Sequence, residues 1–266
     1  MNSMMLTILG ILVLLFFAII ISRYFIRLLT RSKPTYKAKV ALETNLELEL
    51  NKESFGGYHS RALSREKQND YKGAVEDINQ ILKHDTSNFG LILKRSINKY
   101  KASDYRGALS DLNEVIKNNP DEMYAYYYRG LSNLKLSNFL AAYNDLSTAI
   151  SFGLGEKDAY LNRGLAELEI DKHYEAIEDF NFYLYQTPDD RETFYYRGVA
   201  YSKCGNIDFA MHDLNKAIEL NPNNEKAFFE RAFLKKNLNN LDGYKVDLQT
   251  AYEKGSLLAY HYLKNS

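Results

Sequence analysis

Six arginines recur at a spacing of 34 residues: Arg61, Arg95, Arg129, Arg163, Arg197 and Arg231. Six aspartates keep the same period: Asp77, Asp111, Asp145, Asp179, Asp213 and Asp247. A row of guanidinium groups can bind an acidic ligand through two-point, charge-assisted hydrogen bonds. Matched one-to-one by carboxylates, the same row becomes a set of structural ion pairs, made within a repeat or across to the next. Equal numbers favour the pairs, because the acids would neutralise the ladder. As exposed pairs they would contribute about 0.2–1 kcal/mol each.

Other reactive residue types are sparse. The histidines are His59, His84, His173, His212 and His261, and none pairs at metal-ligand spacing. There is no HExxH, no CxxC and no glycine-rich phosphate loop. Gly56-Gly57 lacks the Gly-Lys-Ser/Thr that would make it one, and acid pairs such as Asp189-Asp190 fall at turns. The single cysteine, Cys204, leaves no disulfide framework and suits a reducing compartment. No catalytic residue, metal ligand or cofactor is expected.

The elements that carry the ladders follow from the period, which marks stacked repeats. Let position 1 fall at Phe55, Phe89, Met123, Lys157, Arg191 and Glu225. Position 8 is then small (Ala62, Ser96, Gly130, Gly164, Gly198, Ala232), as is position 20 (Ala74, Ala108, Ala142, Ala176, Ala210), until Tyr244 breaks the rule. Bulky residues hold positions 4 and 24, and Pro120, Pro188 and Pro222 stand at position 32. Asp70, Asp104, Asn138, Asn206 and Asn240 stand at position 16, where a turn or N-cap is needed. The pattern predicts two antiparallel helices per repeat, close at 8 and 20, with each pair burying its apolar face on its neighbours.

This pattern resembles the tetratricopeptide repeat (TPR) family over residues 55–256, most closely in the fifth repeat, with Phe194, Gly198, Tyr201, Gly205, Ala210, Leu214, Ala217 and Pro222 in place. Arg65 and Lys235 depart from the family's aromatic at position 11. The resemblance implies an all-α, right-handed superhelical solenoid of about six repeats: 55–88, 89–122, 123–156, 157–190, 191–224 and 225–256. A capping helix over 257–266 would lay Leu257, Leu258, Tyr260 and Leu263 on repeat six.

On a helical wheel positions 4, 8 and 11 form the buried stripe, with Arg at 7 on its edge. Positions 2, 5, 9 and 12 point the other way, and the resemblance places them on a concave groove. There the sequence supplies Leu93, Ile97, Tyr100, Tyr124, Tyr127, Leu131, Leu134, Leu161, Leu165, Leu168, Tyr195, Val199, Phe229 and Phe233. This apolar strip suits a protein or peptide partner, unless the repeats themselves or a terminal segment fill it. Some relatives grip a chaperone's carboxylate with lysine and asparagine at these positions. Here position 9 is never Asn and position 5 never Lys, so no such clamp is expected.

Residues 4–21 form an apolar run broken only by Thr7 and Gly10. At 1.5 Å per residue it reaches about 27 Å, close to a bilayer's hydrocarbon core. Six bases follow with no acid: Arg23, Arg27, Arg31, Lys33, Lys37 and Lys39. The run has no preceding base and no small-residue cleavage site, so it reads as an uncleaved anchor (1–31, membrane contact through 4–22) rather than a signal peptide. The bases place the repeats in the cytoplasm and the N-terminus outside. Residues 32–54 read as a linker. Net charge is zero overall, so the chain beyond residue 39 is six charges negative, which argues against nucleic acid.

Overall fold

The computed structural model describes residues 55–264. The expected anchor and linker lie outside the described residues, and no described helix is long and apolar enough to cross a membrane. The chain falls into two units, Met1–Ile81 and Leu82–Ser266.

Among the described residues there are thirteen helices and no strand. The first repeat is α1 (Phe55–Lys67) and α2 (Tyr71–Leu82); the second is α3 (Phe89–Lys101) and α4 (Tyr105–Asn118). Then come α5 (Met123–Lys135) and α6 (Phe139–Ser151), α7 (Lys157–Glu169) and α8 (His173–Gln186), and α9 (Arg191–Lys203) and α10 (Ile207–Leu220). The sixth pair is α11 (Glu225–Asn237) and α12 (Leu241–Glu253), followed by α13 (Leu257–Lys264). Each first helix begins at position 1 of the 34-residue frame.

One turn geometry closes every first helix. Position 15 is left-handed throughout, at Asn69, Ser103, Ser137, Asp171, Gly205 and Asn239, with φ between 59° and 77°. The amide of position 16 then returns to the carbonyl of position 11 at 2.8–2.9 Å, a Schellman closure. Side chains at 16 start the next helix in only some repeats. Asp70, Asp104 and Asn240 accept from the amides of Gly73, Gly107 and Gly243 at 2.9–3.0 Å. Asn138 and Asn206 make no such cap; Asn138 bonds Asn133 instead, at 3.3 Å.

Small residues set the helix separation. A Cβ at Gly130 would lie 2.8 Å from Leu146, one at Gly164 2.8 Å from Phe180, and one at Gly198 3.1 Å from Leu214. The alanines at position 20 are fully buried. Tyr244 fits there because its ring packs edge-on against Phe233 at 5.7 Å.

Within the second unit every helix packs on the next. First helices also touch first helices: α3 on α5, α5 on α7, α7 on α9 and α9 on α11. Second helices meet one another at most marginally. In that unit the first helices thus lie closer to one another than the second helices do, forming an inner layer that carries positions 2, 5, 9 and 12.

The cap departs from expectation. Ala259, not Leu257 or Leu258, seals α13 against Ala232, Tyr244, Leu248 and Ala251, and of the expected leucines Leu263 packs beside them. Leu257 and Leu258 are 84% and 63% exposed. The reason is register: at 100° per residue they stand about 200° and 100° away from Ala259. Ala259 plays the part of the buried Ala125, Ala159 and Ala227 at position 3 of earlier first helices.

Candidate functional site

All six arginine–aspartate pairs close within a repeat, from the first helix to the second. In repeats two to six Nε and Nη2 each donate to one carboxylate oxygen at 2.6–2.9 Å. Arg61 donates from the same two nitrogens to Asp77. These are not exposed pairs: the aspartates are only 1–6% accessible. The buried stripe includes position 23 because the second helix turns that edge into the seam. Beside the guanidinium lies the aromatic of position 4, with Tyr58, Tyr126, Tyr160, Phe194 and Phe228 at 5.0–5.5 Å. Such stacking adds to the pair.

Two further positions complete the seam. Position 25 of one repeat bonds the arginine of the next: Arg129 Nη1 donates to Asn113, Arg197 to Asn181 and Arg231 to Asn215, at 2.7–2.8 Å. Between repeats three and four that residue is Ser147, whose buried hydroxyl has no partner. Position 11 also reaches the aspartate. Arg65, Lys99 and Lys235 pair with Asp77, Asp111 and Asp247 at 3.0, 2.8 and 2.7 Å, and Asn133 donates to Asp145 at 3.2 Å. Repeat four instead sets a second acid, Glu167, against Asp179. Glu167 is 3% exposed and its Oε2 has no partner. Burial, and then the charge of Asp179, push its carboxyl up to about 8, so at neutral pH it holds a proton and hydrogen-bonds Asp179.

The inner layer is only partly open. Tyr127 and Leu131 are both 7% exposed and belong to the core with Leu146, Ala149, Leu154 and Ala159. They are therefore packing residues rather than accessible groove residues, because the stack of α5 on its neighbours covers them. Phe229 and Phe233 lie under Tyr262 of α13, with ring centroids at 5.8 and 5.0 Å. Leu93, Ile97, Tyr100, Leu134, Leu161, Leu165, Leu168, Tyr195 and Val199 are half-buried, and Tyr124 is exposed, its hydroxyl bonded to Glu156 at 3.3 Å.

The sequence candidates converge at one place. Leu168, Tyr195 and Val199 meet in an open recess of about 350 Å³ between α7 and α9, with Glu169, Asp171, His173, Tyr196 and Lys203 completing its walls. Tyr195 and Tyr196 form an edge-to-face pair at 5.2 Å, and burial pushes both phenols up. No group of acids, histidines or cysteine among the described residues could hold a metal ion.

Family models described as tetratricopeptide repeat match residues 93–150 and 192–224. The chain carries tetratricopeptide repeats. Solved TPR-like structures share the fold. YrrB, described as a TPR protein with an unusual peptide-binding site, aligns at TM-score 0.63 and 16% identity, covering 72% of this chain and 100% of that one. A MamA protein aligns at 0.56 and 24%, covering 65% and 94%. MamA from Desulfovibrio magneticus RS-1 aligns at 0.55 and 17%, covering 63% and 93%. No curated protein matches.

Against the TPR frame, sequence reasoning missed the roles of positions 11 and 25. Position 25 had a signal, asparagine at 79, 113, 181 and 215. Position 11 is basic in three repeats (Arg65, Lys99, Lys235) but Asn133, Glu167 and Tyr201 in the others, so no single residue type marks its place beside a buried aspartate.

Proposed function

We propose that this chain is a membrane-anchored TPR adaptor that binds a protein or peptide partner on its inner layer. Residues 4–22 hold it in the membrane and the repeats face the cytoplasm. The observation that carries partner binding is the recess of about 350 Å³, walled by Leu168, Tyr195, Tyr196 and Val199, on a layer with half-buried apolar residues on either side. Apolar and aromatic walls with a few polar groups suit side-chain anchors of a partner. The seam is not the binding element: its guanidinium groups are occupied by buried carboxylates.

The test is cross-linked pull-down with the full chain and with Leu168→Asn and Val199→Asn. Both variants are expected to stay folded by circular dichroism and to lose the partner. A partner retained equally by both variants overturns the reading. Cross-links only between copies of the chain would favour self-assembly through the exposed end at Leu257, Leu258, Tyr260 and Tyr262. Protease protection with the membrane intact checks the topology; protected repeats overturn the cytoplasmic placement.

A further inference from the structure

The recess has a one-sided charge environment. Glu169 and Asp171 stand in its walls, with the His173 ring 3.6 Å from Asp171, and Glu192, Glu225 and Glu230 act electrostatically on Tyr195; Lys203 is the one lysine or arginine among these lining and neighbouring groups. Tyr195 is a shared wall. One side of it lines the recess, and it also packs into the cluster that holds Ala227 and Leu234 of α11. Glu230 lies three residues after Ala227 and four before Leu234, hence on the face of α11 that meets Tyr195.

Glu230 is half-buried and makes no hydrogen bond or ion pair with a described residue, and desolvation raises its carboxyl, countered by Lys203. A carboxylate withdrawn from water without a partner is unfavourable, and a ligand cation relieves it. Tyr195, on which it acts, and Tyr196 in the recess wall offer aromatic rings to a cation. The other end of the inner layer has the opposite sign: positions 6 and 13 of repeats two and three are Lys94, Lys101, Tyr128 and Lys135.

We propose that the recess at Tyr195 takes a lysine or arginine side chain of an extended, otherwise apolar peptide, with Glu169 in its wall and Glu230 across the Tyr195 ring as counter-charges. This rests on the inner layer being the binding face and adds the chemistry of one anchor. The apolar stem lies on Leu168 and Val199, and the charged head meets the tyrosine rings and the acid rim. Charge complementarity of this kind fixes register and rejects acidic competitors.

The probe is an immobilised array of leucine- and alanine-based nonapeptides whose central residue is arginine, lysine, glutamine, glutamate or leucine, presented to the full chain. The expected result is roughly tenfold stronger retention of the arginine and lysine peptides over glutamine. Glu230→Gln reduces that ratio to about twofold, and Lys203→Ala raises it by removing the competing cation. Equal retention of arginine and glutamine centres, with apolar peptides still bound, overturns this proposal and leaves the binding face standing. Equal ratios for the parent and Glu230→Gln overturn it too. If no peptide in the array is retained, both readings fail. Should Glu230→Gln not fold, the Lys203→Ala ratio decides: an unchanged or smaller ratio counts against the proposal.

Discussion

Replacing Glu167 with glutamine should stabilise repeat four, increasingly so as the pH rises. The folded carboxyl titrates near 8 against an ordinary value of 4.5. A group whose folded value is raised gives stability at low pH that is lost on the way up, here between those two values. Each pH unit in that window costs about 1.4 kcal/mol, so the parent at pH 7 has lost roughly 3 kcal/mol relative to pH 4. Glutamine offers Asp179 an N–H donor with no proton to lose. Glu167→Gln should therefore differ from the parent by less than about 1 kcal/mol at pH 5 and by about 3 kcal/mol at pH 7. Urea unfolding across pH 5–8.5 measures the difference, in which titrations away from the Glu167–Asp179 pair cancel. Neighbouring repeats can open separately, so amide exchange on α7 and α8 should be followed as well. Parallel pH profiles for parent and variant, or a variant less stable at pH 7.5, would refute the argument.

Two further substitutions probe the seam and the helix spacing. Arg129→Leu leaves Asp145 buried with only the Asn133 amide, and should cost about 2–4 kcal/mol in chemical unfolding while leaving peptide retention unchanged; a loss below about 1 kcal/mol would mean the pair behaves as a surface pair. Gly164→Ala forces Phe180, fully buried and stacked on Tyr196, to move, and should lower stability by about 1–2 kcal/mol even after the gain in helix propensity. Gly198→Ala, with slightly more room, should be near neutral; a larger loss there than at Gly164 contradicts the spacing argument.

The fold was legible because the repeat states each rule several times over. Residues at 8, 20 and 32 gave the helix pairs, and the first residue of every first helix fell on the 34-residue frame. What a single repeat decides alone was harder to see. Tyr127 and Leu131 share groove positions with Leu161 and Leu165, and only the packing of the neighbouring first helices separates buried from open. Glu167 reads as an ordinary helix-favouring acid until Asp179 is set beside it. The cap misled because Ala259 enters two residues ahead of the 34-residue frame, which turns Leu257 and Leu258 outward. Glu230 gave no signal, since its meaning lies in the partner it lacks.

Pulled from both ends, a stack of repeats yields at the joint whose transverse tie is the most compliant. In the second unit that is the joint between repeats three and four, where Ser147 stands in place of the short asparagines Asn113, Asn181 and Asn215 that clasp the next arginine, and the tie is instead the long Lys172 side chain reaching the Tyr143 hydroxyl at 2.9 Å. Under load the array would not stretch evenly. It would bend or part first between α6 and α7, leaving repeats four to six together as one rigid piece, and that piece holds the recess. A partner gripping Tyr195 could then be dragged or released without its own binding surface being deformed.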